Sequence, residues 1–259
     1  MTLTLFGPAW GLVLAALVLT GVVVHLRLRG RDLASRRRGL AVLAGADMAA
    51  SAAFHYAYLT DPTVHFPLWQ NLPLHLCTIV SFMLLPAILL DSKPLQVLCY
   101  FPGALAGFLA LLSAAPMYYG HPLLSLKTFF FVAHGLNFVI PALMATLGVY
   151  RPTARDAVRS VAYLLVLALA VLPVTLLLRA VADPHANYMY VFDPEGAAIL
   201  EVFHRLIPVP LVYELPLLVA ITPLLLAQWG LYRAFVRVST WLRRAQPPVV
   251  PPLTPALSA

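Results

Sequence analysis

The sequence predicts an all-α membrane protein, a bundle of about seven transmembrane helices with its N-terminus outside and its C-terminus inside. Three observations carry that prediction. Of 259 residues, 61% are hydrophobic and only 10% are charged, and the mean hydropathy is +0.87. Soluble domains carry about 25% charged residues, so the solvent of this chain is lipid. The apolar residues fall in seven stretches of near-spanning length, separated by short polar connections. Finally, the basic residues are unevenly placed. Of 17 Lys and Arg, 14 fall in or beside alternate connections, and only Lys127, Arg179 and Arg205 lie on the other side. The positive-inside rule turns that bias into an orientation.

Taken in order, Met1–Leu5 carry no basic residue and so lack the positive start of a secretory signal. The first span is Pro8–Leu26. Arg27, Arg29, Arg31, Arg36, Arg37 and Arg38 follow, with Asp32 the only acid, and this loop is expected inside. Its position between two spans excludes a nucleic-acid interface. The second span is Gly39–Leu59, and the loop after it carries Asp61 and no Lys or Arg. The third span, Asn71–Leu90, and the fourth, Leu95–Ala114, are joined by the inner turn Asp91–Pro94. The fifth span is Leu126–Val149. The sixth is Ala157–Leu178, with Pro173 expected to kink it. In the long outer connection 182–208, Asp193-Pro194-Glu195 reads as a helix cap for a short interfacial helix bearing Ile199, Leu200, Phe203 and Leu206. The seventh span is Leu211–Phe235. One polytopic domain, 1–240, is therefore followed by a Pro-rich tail, 241–259, expected to be disordered inside the cell. No internal repeat is visible, which argues against an inverted-repeat transporter. The excess of Arg over Lys, with abundant Ala, Leu and Pro, fits a GC-rich bacterial genome and hence a bacterial inner membrane.

Ionisable groups inside spans are costly, about 2.5–3.5 kcal/mol on insertion scales, and so mark function or internal pairing. Helical spacing aligns Asp47, Ser51 and His55 in the second span, Asn71, His75 and Thr78 in the third, and Lys127, His134 and Asn137 in the fifth; Glu214 heads the seventh. All but Asp47, which starts nearer the inner face, are expected to share one cavity open to the outer leaflet. Each has a plainer reading as well. Asp47 could pair with a cytoplasmic-loop Arg, His75 could be a helix-end hydrogen bonder, and Asn137 could be interhelical glue. On a regular helix Cys77 points about 200° away from His75, so a dyad between them is poor and Thr78 is the better-placed nucleophile.

Asn71-Leu-Pro-Leu-His-Leu-Cys-Thr78, Phe131-Val-Ala-His-Gly135 and Asn187-Tyr-Met-Tyr190 with Pro194 resemble the YwaF-type family of bacterial integral membrane proteins. That family looks related to eukaryotic transmembrane protein 164, an acyltransferase, and more remotely to the androgen-dependent membrane hydrolases of fatty-acid esters. The resemblance implies acyl chemistry on a membrane lipid, with His134 as acid/base. His75 and Asn71 would then orient the nucleophile or hold the oxyanion, and Asn187 and Tyr188 would close the outer mouth. No cofactor and no metal is implied. The chain departs from the eukaryotic pattern at Leu74, which occupies the place of the nucleophilic Cys directly before the motif His; Thr78 or Cys77 must substitute. Two other readings stay open. One is a lipid-binding or carrier protein without chemistry. The other is a zinc-dependent, ceramidase-like hydrolase, suggested by Ser51-Ala-Ala-Phe-His55 but lacking the His-x-x-x-His partner in the last span.

Overall fold

A computed structural model describes residues 1–62, 72–113, 118–195 and 198–245. Asn71 and the Pro-rich tail from residue 246 lie outside them, as does much of the loop before Asn71. Among the described residues the chain is helical, with no strands beyond an isolated bridge between Thr2 and Pro122. Six helical segments are long and apolar enough to cross a membrane: Pro8–Leu28 (α1), Leu33–Leu59 (α2), Lys93–Ser113 (α4), Leu126–Thr146, Ala154–Val181 (α6) and Val212–Leu242. The fourth of these is a 3-10 turn leading into α5, Phe129–Thr146; the last begins with a 3-10 turn before α8, Leu215–Ala245. Between α6 and α8 lies a short helix, α7, Ala198–Leu206.

The third hydrophobic segment departs from its expected bounds. Its helix, α3, runs from Leu76 to Leu89, 14 residues, with His75 at the cap position in extended conformation. At 1.5 Å per residue it is about 21 Å long, short of the roughly 30 Å hydrocarbon thickness. Pro73 disfavours helix in the residue before it, which accounts for the late start. The short interfacial helix also begins later than the Asp193 cap implies. Asp193 Oδ1 instead accepts a bond from Glu195 N–H (2.7 Å) within a turn, and α7 starts at Ala198. Helix α6 runs unbroken through Pro173. In α4 the helix widens to a π turn at Cys99–Gly103, around Pro102, because proline removes one backbone donor and crowds the preceding turn.

The core is built on α5, which α1, α2 and α4 flank. Glycines allow close approach on two sides. A Cβ on Gly107 of α4 would lie 2.6 Å from the His134 carbonyl oxygen of α5, and a Cβ on Gly135 would lie 2.2 Å from Leu17 of α1. Gly103 and Gly107 are four residues apart, a small-xxx-small ridge of the kind that brings membrane helices together. On the basic side, polar clamps close the bundle. Arg36 donates to the carbonyls of Leu147 (2.7 Å) and Arg29 (2.9 Å), at the ends of α5 and α1. Arg37 pairs with Asp91 (2.5 Å), and Lys93 with Asp156 (2.7 Å). Asp156 also completes a capping box with Thr153 at the start of α6. On the opposite side the N-terminal segment pairs with the 120–123 loop, Leu3 N–H donating to His121 O (2.9 Å) and Gly120 N–H to Leu3 O (2.9 Å).

Candidate functional site: three imidazoles around the first turn of a short helix

The late start of α3 reshapes the site. Because His75 is extended and the helix begins at Leu76, the 200° argument that separated Cys77 from His75 no longer applies. Cys77 and Thr78 sit in the first helical turn. The first intrahelical bond runs from Ile79 N–H to His75 O (3.0 Å), so the N–H groups of Leu76, Cys77 and Thr78 precede the hydrogen-bond ladder. The His75 side chain makes no capping bond to them. The positive end of a helix therefore coincides with a thiol that is partly accessible and a hydroxyl that is buried.

Three imidazoles gather near this turn. His134 is buried in α5, and its Nδ1 lies 2.7 Å from the carbonyl of Phe130. His55 in α2 repeats the arrangement, with Nδ1 2.8 Å from the carbonyl of Ser51. A carbonyl only accepts, so each Nδ1 carries the hydrogen and each Nε2 presents a lone pair. Phe130 and Phe54 pack on these rings, with centroids at 4.1 Å for Phe130–His134 and 4.1 Å for Phe54–His55. His55 lies within electrostatic reach of both His75 and His134. Reading by sequence placed His55 on a polar stripe expected to reach the shared cavity, but did not name it as a site residue. The signal was the Asp47, Ser51, His55 spacing, and its cost in lipid applies to all three members.

His75 is framed by Tyr188 (ring centroids 5.3 Å) and Tyr190 (5.9 Å). Tyr190 and the preceding Met189 both have positive φ, 64° and 58°, in a turn that presents the two tyrosines to His75. The Tyr213 hydroxyl donates to the Tyr190 carbonyl, and Leu211 N–H donates to Val191 O (2.7 Å), so the head of the last helix holds that turn in place. Tyr118, stacked on Phe130 (3.8 Å), lies within reach of Tyr190 and Cys77. Neither Tyr190 nor Tyr118 was singled out by sequence as a site residue in its own right.

The remaining candidates divide. Asn137 is fully engaged: its Nδ2 donates to Cys77 O (2.9 Å) and its Oδ1 accepts from Ser81 Oγ (3.3 Å). It is the glue between α3 and α5. Since His134 is three residues earlier on α5, the face of that helix bearing His134 is the one turned toward the start of α3. Asn187 is likewise engaged, donating to Asp193 O and Glu195 Oε1 (both 2.8 Å) and accepting from Phe192 N–H (3.0 Å). It shapes the loop that carries the tyrosines. Asp47 is fully buried, and among the described residues neither carboxylate oxygen has a hydrogen-bond partner. The pairing with a loop Arg does not form, since Arg36 and Arg37 are held elsewhere. Ser81 is a polar neighbour and Cys77 is within electrostatic reach, so Asp47 approaches the site from the inner side. Glu214 heads the last helix beside Tyr213, and among the described residues its buried Oε1 has no hydrogen-bond partner. Lys127 pairs with Asp61 at the outer end of the bundle. Among the described residues no group of three His, Cys, Asp or Glu side chains is disposed to hold a metal ion.

The arrangement offers a thiol at a helix N-terminus, unprotonated imidazole nitrogens and backbone donors in one aromatic-walled region. Comparison with known proteins agrees with part of the sequence reading. The profile of the TMEM164 family matches residues 5–232. No curated protein and no solved structure gives a significant match. With the match running over nearly the whole helical bundle, the chain is a multi-pass integral membrane protein and belongs to the TMEM164 family.

Proposed function

We propose that this protein transfers or hydrolyses acyl groups of membrane lipids through a covalent intermediate on Cys77, in a bacterial cytoplasmic membrane. The observation that carries the proposal is the start of α3 at Leu76, which puts the Cys77 thiol in the first helical turn, beside backbone N–H groups that precede the hydrogen-bond ladder. The likeness to transmembrane protein 164 read from the motifs supports the reaction class. The Cys has moved to the far side of the motif His, at 77 rather than 74, and the extended conformation of His75 keeps the two in one turn.

In this mechanism the Cys77 proton passes to an imidazole Nε2, with His134 as the principal base. The thiolate adds to the ester carbonyl of a lipid. The developing oxyanion is held by N–H groups of the first turn, donors that need no reorganisation. Collapse breaks the carbon–oxygen ester bond, and the departing alkoxide takes the proton from His134 imidazolium. A second alcohol, or water, then gives its proton to the same imidazole and attacks the thioester, releasing the new ester or the free acid and restoring Cys77. Tyr188, Tyr190 and Tyr118 wall the site against water, which favours transfer over hydrolysis.

The test is acyl capture. Purified protein in micelles is given a medium-chain p-nitrophenyl ester, with and without a lysophospholipid acceptor, and the Cys77 peptide is examined by mass spectrometry for a hydroxylamine-labile acyl group. The expected result is an acylated Cys77 that disappears in Cys77→Ala and accumulates more slowly in His134→Gln. Activity that survives Cys77→Ala but not Thr78→Val would transfer the nucleophile to Thr78. Activity that survives both, or lipid binding without turnover, would remove the proposal.

A further inference from the structure

At the opposite end of the bundle from the imidazoles is a cavity of about 780 Å³. His134 and Thr146, a lining residue of this cavity, lie twelve positions apart on α5, about 18 Å along the axis. The cavity is bounded by the C-terminal ends of α1 and α5, the start of α2 and the last turns of α8. Arg29, Arg36 and Arg151 line it, with His25, and among the described residues no acidic side chain does. On α8 its wall is apolar nearer the membrane, with Phe235 and Val236, and polar beyond, with Ser239 and Thr240.

Two of the three guanidinium groups, those of Arg29 and Arg151, are not committed to internal pairing among the described residues. Arg36 uses Nη1 and Nη2 to neutralise the negative ends of α5 and α1, and its buried Nε has no partner among the described residues. The Arg29 and Arg151 side chains are exposed, and among the described residues neither is in an ion pair. His25 is turned inward, its Nδ1 3.3 Å from the Thr146 hydroxyl and its ring against Phe235. Guanidinium groups lining one cavity, with their fixed forks of donors, suit a phosphate oxyanion.

From this geometry we infer a binding site for a phosphate ester at the basic face, distinct from the acyl-transfer site and independent of that reading. The charge bias of the loops places it in the cytoplasmic leaflet, where basic pockets between membrane helices hold anionic head groups. The apolar wall fits a phospholipid with its phosphate against Arg29, Arg36 and Arg151 and a chain along α8. A soluble phosphate ester would use the same arginines without the wall.

Binding is read by intrinsic tryptophan fluorescence of the full chain in neutral-detergent micelles, titrated with short-chain phosphatidic acid, short-chain phosphatidylcholine and glycerol 3-phosphate. Saturable binding of phosphatidic acid is expected, weakened about tenfold or more in Arg29→Gln/Arg151→Gln, since each charge-assisted bond lost is worth about a factor of ten. Both residues are exposed, so that variant keeps its fold. Arg31→Gln/Arg38→Gln removes the same charge from exposed positions outside the cavity and is expected to change affinity less than twofold. Phe235→Ala separates the sources: weakened binding of phosphatidic acid assigns a lipid, whereas glycerol 3-phosphate binding as tightly as phosphatidic acid, with neither weakened by the variant, assigns a soluble ester. Equal weakening in the two double variants would reduce the effect to nonspecific attraction and overturn the site. So would equal binding of phosphatidylcholine and phosphatidic acid, or no saturable binding at all.

Discussion

Replacing Gly107 by alanine tests whether the site depends on the close crossing of α4 and α5. The new Cβ would stand 2.6 Å from the His134 carbonyl oxygen and 3.0 Å from the Asn137 Cβ. Neither atom can rotate away, since one is backbone and the other is attached to it. Unstrained contact begins near about 3.5 Å, so the helices must part by somewhat under about 1 Å. Overpacking of that kind costs about 1–3 kcal/mol. At about 2–4 °C per kcal/mol for a chain of this size, Tm should fall by roughly 3–10 °C. The natural control is Gly45 in α2, where an added Cβ meets nothing within 4 Å. Gly45→Ala should leave Tm unchanged or raise it, because alanine is the better helix former by about 0.5–1 kcal/mol. Thermal unfolding in micelles, followed by a dye that reacts with the buried Cys99 once it is exposed, gives both values. The two residues that Gly107 accommodates are His134 and Asn137, so acyl capture by Cys77 should fall along with Tm. If Gly107→Ala melts with Gly45→Ala, the crossing has slack and the argument from close approach fails.

Three further outcomes follow from the contacts. Asn137→Leu removes both bonds that tie α3 to α5, each worth about 0.6 kcal/mol and at most about 1.7 in membrane proteins. A loss of about 1–3 kcal/mol is expected, with a changed rate of Cys77 alkylation in the folded protein as the sign that the first turn has moved. Tyr213→Phe deletes the hydroxyl that holds the Tyr190 carbonyl; it should cost no more than about 1.5 kcal/mol in stability yet slow acyl capture, through loss of the Tyr190 ring position against His75. Asp91 supplies the pH test. Its bonds from Gln96 and Arg37 hold its carboxyl below the ordinary value of 3.8. A depressed acid contributes stability that is complete above its unfolded pKa and is lost as pH falls through the folded one. Asp91→Asn should therefore be less stable than the parent at neutral pH, by under about 1 kcal/mol for so exposed a pair, with the gap closing below pH of about 3–4. A gap that persists in acid would assign the effect to packing instead.

Membrane residence, the helical fold and the crowding of polar groups into particular spans are all decided by composition and spacing. The reason is physical: lipid forbids unpaired backbone and taxes every charge, so the positions of Asp47, His134 and Glu214 are informative before any coordinates exist. The charge bias at the loop ends is equally local. The site itself was only half legible. Sequence periodicity assumes a regular helix through His75, and on that assumption Cys77 points the wrong way. Tertiary structure starts the helix at Leu76, so a helical wheel drawn through His75 does not fix where Cys77 points. Nor could spacing reveal that His55 joins His134 across α2 and α5, because a helical wheel assigns a face but not the neighbour that face meets. Gly103 and Gly107 were a readable sign of close approach, though one meets Val80 of α3 and the other α5. Asn137 and Asn187, sound candidates by type, turned out to be occupied as struts, since an amide's role is set by which carbonyls packing brings within 3 Å. Sequence by itself determined the solvent, the number of helical segments and the residues with chemistry to offer. Which of them meet was decided only when the helices packed, because contacts between distant segments depend on register and crossing, which no local pattern encodes.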